Sequence, residues 1–167
     1  MALDPCSASC VVTDVETGEV LALVTYPGYD INKFSGSVDT AYYNQLYNDL
    51  SQPFLNRATQ VETAPGSIFK VLTTAMGLEE GVISADEIVN DTGVFEKQGL
   101  HLKCWDSSGH GDVNAISAIA QSCNYYFSEI GFRVSQSGGE YDSSAGLAAI
   151  QKYASMFGLG EKSGVEI

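Results

Sequence analysis

The stretch Ala64-Pro65-Gly66-Ser67-Ile68-Phe69-Lys70 sets a Pro-Gly turn directly against an apolar, helix-like run. Pro and Gly are tolerated where a helix begins but not inside it, so the chain must turn here and then wind. Phe69, Leu72, Thr73 and Met76 recur at i, i+3, i+4 and i+7, which predicts a helix over Ser67–Glu80 with Gly81 as its stop. Residues three apart on a helix share a face, with Cβ atoms roughly 5–6 Å apart, so Ser67 and Lys70 come within reach of each other. A serine hydroxyl is a weak nucleophile until a neighbouring base takes its proton. A lysine becomes such a base when burial or nearby positive charge lowers its pKa. The free N–H groups at a helix start also favour negative charge developing on a carbonyl oxygen. Ser67 is thus a candidate nucleophile and Lys70 its candidate base, although Ser-x-x-Lys by itself occurs at many ordinary helix starts.

A second triplet, Ser122-Cys123-Asn124, follows at a predicted helix–helix junction. A hydroxyl there can relay a proton, and an amide can both donate to a substrate carbonyl and accept from a lysine. Taken singly, Ser122 or Asn124 reads as a helix cap. Ser67, Lys70, Ser122 and Asn124 together read as a site.

Around these motifs, Cys10–Val15 and Val20–Tyr26 alternate about a Glu16-Thr17-Gly18-Glu19 turn and predict a β-hairpin at about 10–26. A short helix is expected around Thr40–Leu50, with Tyr43, Leu46, Tyr47 and Leu50 on one half-buried face. Val82–Gly111 reads as irregular. Asn114 can cap a short helix through Ala120, and further helices are expected over Asn124–Val134 and Asp142–Phe157. One hairpin is too little sheet to cover four helices, so the sheet reads as unfinished.

The 167 residues, 44% hydrophobic and 17% charged, suffice for one globular domain with its own core. Eight Lys and Arg against 21 Asp and Glu give a net charge of −13, which excludes nucleic acid as a partner because phosphate binding needs clustered cations. No apolar run is long enough to span a bilayer, and Met1-Ala2-Leu3-Asp4 is not a secretory leader. Cys6, Cys10, Cys104 and Cys123 form no CxxC pair and read as free thiols or one disulfide rather than a metal site. His101 and His110 receive no role; Trp105 is placed either in packing under the site or along the substrate groove, with packing the preferred reading.

Ser-x-x-Lys followed by Ser-x-Asn resembles the penicillin-recognising serine transpeptidases. Val12–Ala22 resembles the opening hairpin of penicillin-binding protein transpeptidase domains. Asn56-Arg57-Ala58-Thr59-Gln60 before Pro65-Gly66-Ser67 resembles the class B branch. Lys103-Cys104-Trp105, Gly109-His110-Gly111 and Ser122–Phe127 resemble its elongation-type members, and Phe157–Gly164 matches a segment that follows in them. Lys162-Ser163-Gly164 spells the family's third motif, but it comes too soon after the second to be that motif. The resemblance implies an α/β fold of the serine β-lactamase/transpeptidase type: an antiparallel sheet, here incomplete at the C-terminus, with a helical subdomain at about 82–157. It implies that 1–167 is the N-terminal part of such a domain, without the strands that carry the third motif and without the family's membrane anchor.

The implied activity is that of a peptidoglycan DD-transpeptidase acting on D-Ala-D-Ala stem peptides, with β-lactams acylating Ser67. The implied roles are Ser67 as nucleophile, Lys70 as base, Ser122 as proton shuttle and Asn124 as the residue that positions lysine and substrate. No cofactor and no metal are implied. Cell-wall elongation proteins are the implied partners of the parent, which would work at the outer face of the bacterial cytoplasmic membrane, whereas the chain as it stands is expected to be soluble. Two alternatives stay open: a β-lactam sensor or β-lactamase of the same fold, and a catalytically inactive structural fragment.

Overall fold

The structure, a computed structural model, describes residues 7–165; Cys6 and the Met1–Asp4 start lie outside the described residues. The chain divides after Thr63 into two compact units.

In the first unit, β1 (Ala8–Thr13) and β2 (Val20–Tyr26) form an antiparallel hairpin that pairs Cys10 with Val24. Asp14 closes the turn by accepting the N–H groups of Glu16 and Thr17, and Gly18 takes the positive φ (+75°) that the reversal requires. Val11, Val12, Leu21 and Val24 stay exposed. The predicted helix forms as α1 (Thr40–Tyr47), with Asp39 accepting the Ala41 N–H as its cap. It ends one turn earlier than expected: Asn48 caps it, Leu50 is exposed and only Leu46 is buried. Tyr43 stacks on Tyr47 with ring centroids 6.0 Å apart and leans on Phe54. A four-residue helix, α2 (Arg57–Gln60), is tied to β2 by Thr25, whose hydroxyl donates to Asn56 Oδ1 and accepts the Arg57 N–H.

The second unit holds the core. A 3-10 turn (Gly66–Phe69) runs into α3 (Lys70–Glu79), so the first turn of the predicted helix is wound more tightly than an α-helix. Three more helices follow the predicted spans closely: α4 (Ala115–Ala120), α5 (Asn124–Val134) and α6 (Ser143–Met156). Asn114 caps α4 through a capping box with Ser117. Leu72 and Met76 of α3, Ala118 of α4, Tyr126 and Ile130 of α5 and Tyr153 of α6 bury into one cluster, each large side chain contributing roughly 1.5–3 kcal/mol. At Gly77 the helices approach closely: a Cβ there would sit 2.9 Å from Ile130 Cγ2.

Residues 82–111, expected to be irregular, instead carry two antiparallel ladders. β3 (Val89–Asp91) pairs with β6 (Gly111–Val113), and β4 (Val94–Lys97) pairs with β5 (Leu100–Lys103). Strands of three or four residues hold too few repeats for alternation to register. Gln98 and Gly99, both at positive φ, make the two-residue turn between β4 and β5. Phe95 of β4 is fully buried, edge-on to Tyr125 and Phe132 of α5. Beside it, buried Glu129 accepts from Lys97 Nζ at 2.7 Å and Arg133 Nε at 2.8 Å, and Arg133 also reaches Glu87 and the Val82 carbonyl.

Candidate functional site

Packing of α3 on α5 sets the start of one helix beside the start of the other. The 3-10 turn presents Ser67 to solvent, and Lys70 opens α3, half-buried. Across from them lies the α4–α5 turn, with Ser122 in the turn and Asn124 as the first residue of α5. All four residues singled out in the sequence converge. Lys70 Nζ donates to Asn124 Oδ1 at 2.7 Å, to the Ser122 carbonyl at 2.8 Å and to Ser122 Oγ at 2.9 Å. Ser122 Oγ lies 2.8 Å from Ser67 Oγ in turn. No direct Lys70–Ser67 hydrogen bond forms among the described residues; Ser122 connects them. Ser122 holds this place with a left-handed backbone, φ +52°, which a residue other than glycine seldom adopts.

Burial pushes the Lys70 amine below its ordinary pKa. The Lys70 Nζ lies over the Phe127 ring, 5.4 Å from its centroid. An open groove of about 470 Å³ runs from Lys70 and Asn124 along Phe127 and Ser128 to His101, Leu102 and Lys103 of β5. It has no carboxylate in its lining, although the chain as a whole is strongly acidic.

Residues 8–167 match the penicillin binding protein transpeptidase domain family. This chain is a member of that family. It is 32% identical over 159 residues to the peptidoglycan D,D-transpeptidase MrdA of Acinetobacter baumannii, covering 94% of this chain and 22% of that protein. It is 30% identical over 162 residues to MrdA of Escherichia coli K12, covering 96% and 24%. The chain therefore spans about a quarter or less of the length of these curated relatives. Among solved structures, penicillin-binding protein PBP2 from Helicobacter pylori superposes with a TM-score of 0.82 at 28% identity, over 93% of this chain and 28% of that one. PBP2 of the same organism in complex with MreC gives the same TM-score and identity, over 93% and 27%. The mixed fold of helices and antiparallel strands is thus that of penicillin-binding transpeptidase domains.

A second cluster of this transpeptidase domain escaped the sequence. Asp91 ends β3, Cys104 follows β5, His110 precedes β6 and Cys123 caps α5, and their donor atoms all lie within 4.8 Å of one another. Asp91 Oδ2 accepts the His110 backbone N–H at 3.1 Å, lies 2.7 Å from His110 Nδ1 and accepts the Cys123 thiol at 3.2 Å; Cys104 Sγ is 3.5 Å from the imidazole. Burial alone would raise the Asp91 pKa. The hydrogen bonds from His110, the Gly93 N–H and Cys123 outweigh it and hold the carboxylate well below its usual range. Burial next to that carboxylate pushes the Cys123 thiol up to about 12. His110 Nε2 is buried without a partner.

Two thiols, an imidazole and a carboxylate are each donor types that zinc accepts, and four of them at this spacing could hold such an ion. Sequence reading missed it because the donors come singly from separate stretches. The nearest hint is Cys104 and His110, six residues apart in a Gly-flanked loop. Trp105 also departs from expectation: it is 65% exposed rather than packed, and its Nε1 donates to the Gln121 carbonyl at 2.9 Å.

Proposed function

We propose that this chain carries the acylation half of a serine DD-transpeptidase, and the observation that carries the reading is the Ser67–Ser122–Lys70–Asn124 chain, with every link between 2.7 and 2.9 Å. Ser67 Oγ attacks the carbonyl of the penultimate D-alanine of a stem peptide. Its proton passes to Ser122 Oγ while the Ser122 proton passes to a neutral Lys70. The Ser67 N–H, one of the first in its helix and so without an intrahelical acceptor, supports the developing oxyanion. Collapse of the tetrahedral adduct expels terminal D-alanine, which takes its proton back along the same chain. The ester then passes to an amine of a neighbouring strand. Asn124 fixes the lysine through Oδ1 and leaves its amide N–H groups for the substrate. β-Lactams follow the same path as mimics of the D-Ala-D-Ala end.

Labelling the full-length protein with a fluorescent penicillin tests this. One label per chain on Ser67, lost in Ser67→Ala, is the expected result; label on another residue, or none, overturns it. Slow release of the label separates a transpeptidase from a β-lactamase. The H. pylori complex of PBP2 with MreC supports a protein partner for the full-length relative of this chain; cell-wall elongation proteins as partners, and the outer face of the cytoplasmic membrane as the place of work, are part of the same proposal. Among the described residues no helix is long and apolar enough to cross a membrane.

The donor chemistry favours a second property of the same fold. Asp91, Cys104, His110 and Cys123 would hold a zinc-like ion, which when bound supplies a cross-link between the strand region and the α4–α5 turn. Purified protein is expected to carry one zinc per chain by elemental analysis. Cys104→Ala and chelation should each remove the metal and lower the thermal midpoint. A metal-free protein whose melting zinc does not raise would sink this assignment.

A further inference from the structure

Ser122 touches both Ser67 and Lys70 from a left-handed backbone. Such a conformation costs free energy and persists only where the surroundings hold it. Two holds are visible, one on each side. After Ser122, the Cys123 N–H donates to the Ala118 carbonyl at 2.9 Å and its thiol donates to Asp91. Before Ser122, the Gln121 carbonyl accepts the Trp105 indole N–H at 2.9 Å. The Trp105 ring stands edge-on to His110, with centroids 5.0 Å apart, and His110 Nδ1 lies 2.7 Å from the same Asp91 carboxylate. Trp105 and Cys123 therefore reach one buried Asp91–His110 pair from opposite sides of the relay serine.

We propose that Trp105 is a positioning residue for acylation: its indole N–H clamps the Gln121 carbonyl and keeps Ser122 in the geometry that links Ser67 to Lys70. At 65% exposure the side chain contributes little core burial, so the hydrogen bond and the His110 contact are what it offers the fold. Loss of the donor leaves the Ser122 φ value less constrained. Its Oγ then spends less time 2.8 Å from Ser67 and 2.9 Å from Lys70. The inference rests on the reading of Ser67 as the acylated residue. It differs from a role for Trp105 as a stacking surface for substrate, which would change how tightly the β-lactam binds before acylation.

The test replaces Trp105 in the full-length protein with benzothienylalanine, an isostere carrying sulfur in place of the N–H, and separately makes Trp105→Phe. With benzylpenicillin, both variants are expected to lose about 3–10-fold in the acylation rate constant, the worth of one neutral hydrogen bond. The pre-acylation dissociation constant and the thermal midpoint should stay near wild type. Hydrogen exchange of the Ser122 and Cys123 amides, which donate to Ile119 and Ala118, should quicken. An unchanged acylation rate, or a change confined to the dissociation constant, overturns the proposal. Should wild-type protein not acylate at Ser67, the transpeptidase reading falls on its own. The exchange experiment then still decides the clamp, and unaltered exchange in the isostere variant refutes it.

Discussion

Lys70→Ala is expected to slow acylation of Ser67 by about 10²–10⁴-fold, the range that a positioned general base contributes. The geometry explains why the loss should be that large. Ser122 Oγ can remain 2.8 Å from Ser67, but without the amine no group in contact with that hydroxyl can keep the proton. Charge alone does not replace it. Lys70→Arg keeps a cation beside Ser122 and Asn124, yet a guanidinium does not give up its proton in a protein, so this variant should be about as slow as the alanine one. Near-wild-type acylation in Lys70→Arg would show that the lysine acts as a fixed charge and not as a base. The pH profile carries a second signature. Burial lowers the Lys70 pKa, and in the proposed mechanism the neutral amine is the active form, so the rate should climb as pH rises through that lowered value and then level off. The alanine variant should lose that rise. Stopped-flow acylation by a chromogenic β-lactam between pH 6 and 10 measures both.

Glu129→Ala should destabilise the second unit by about 2–3 kcal/mol. Removing one partner of a buried charge pair costs about 3–5 kcal/mol, less here because Lys97 and Arg133 keep some access to water. Burial by itself would raise the Glu129 pKa, but the hydrogen bonds from Lys97 and Arg133 hold it below its ordinary value. The sign of the pH effect follows. A carboxyl with a depressed folded pKa contributes stability above its unfolded value, about 4.3. That contribution is lost as pH falls through the folded pKa beneath it. Wild-type protein should therefore lose stability steeply in acid, and Glu129→Gln should lose less over the same interval. Urea unfolding at pH 7 and pH 3 checks this. Equal slopes for the two proteins would show that other carboxyls set the acid limb.

What could be read in the chain depended on how long each pattern runs. The helix over Asn124–Val134 runs three turns and was legible with its end placed at about Val134; the strands at 89–91 and 94–97 end before any pattern can repeat. Ser67, Lys70, Ser122 and Asn124 were legible because two short motifs carry them. Their connectivity was not, because spacing cannot tell whether Lys70 reaches Ser67 directly or through a serine 55 residues further on. The Asp91 cluster was invisible for a related reason. It exists only because the β3–β6 register sets Asp91 opposite Gly111, next to His110, and because the backbone there is nearly in contact: a Cβ on Gly109 would fall 2.2 Å from the Asp91 carbonyl oxygen.

The left-handed backbone at Ser122 sets stability against activity at a single position. Glycine would adopt that φ at no steric cost and would relax the turn, yet it would remove the hydroxyl that joins Ser67 to Lys70, the proposed nucleophile and base. Selection for a more stable domain and selection for a faster one thus pull residue 122 in opposite directions. A stabilising screen blind to acylation would be drawn to replace the residue that the proposed relay depends on.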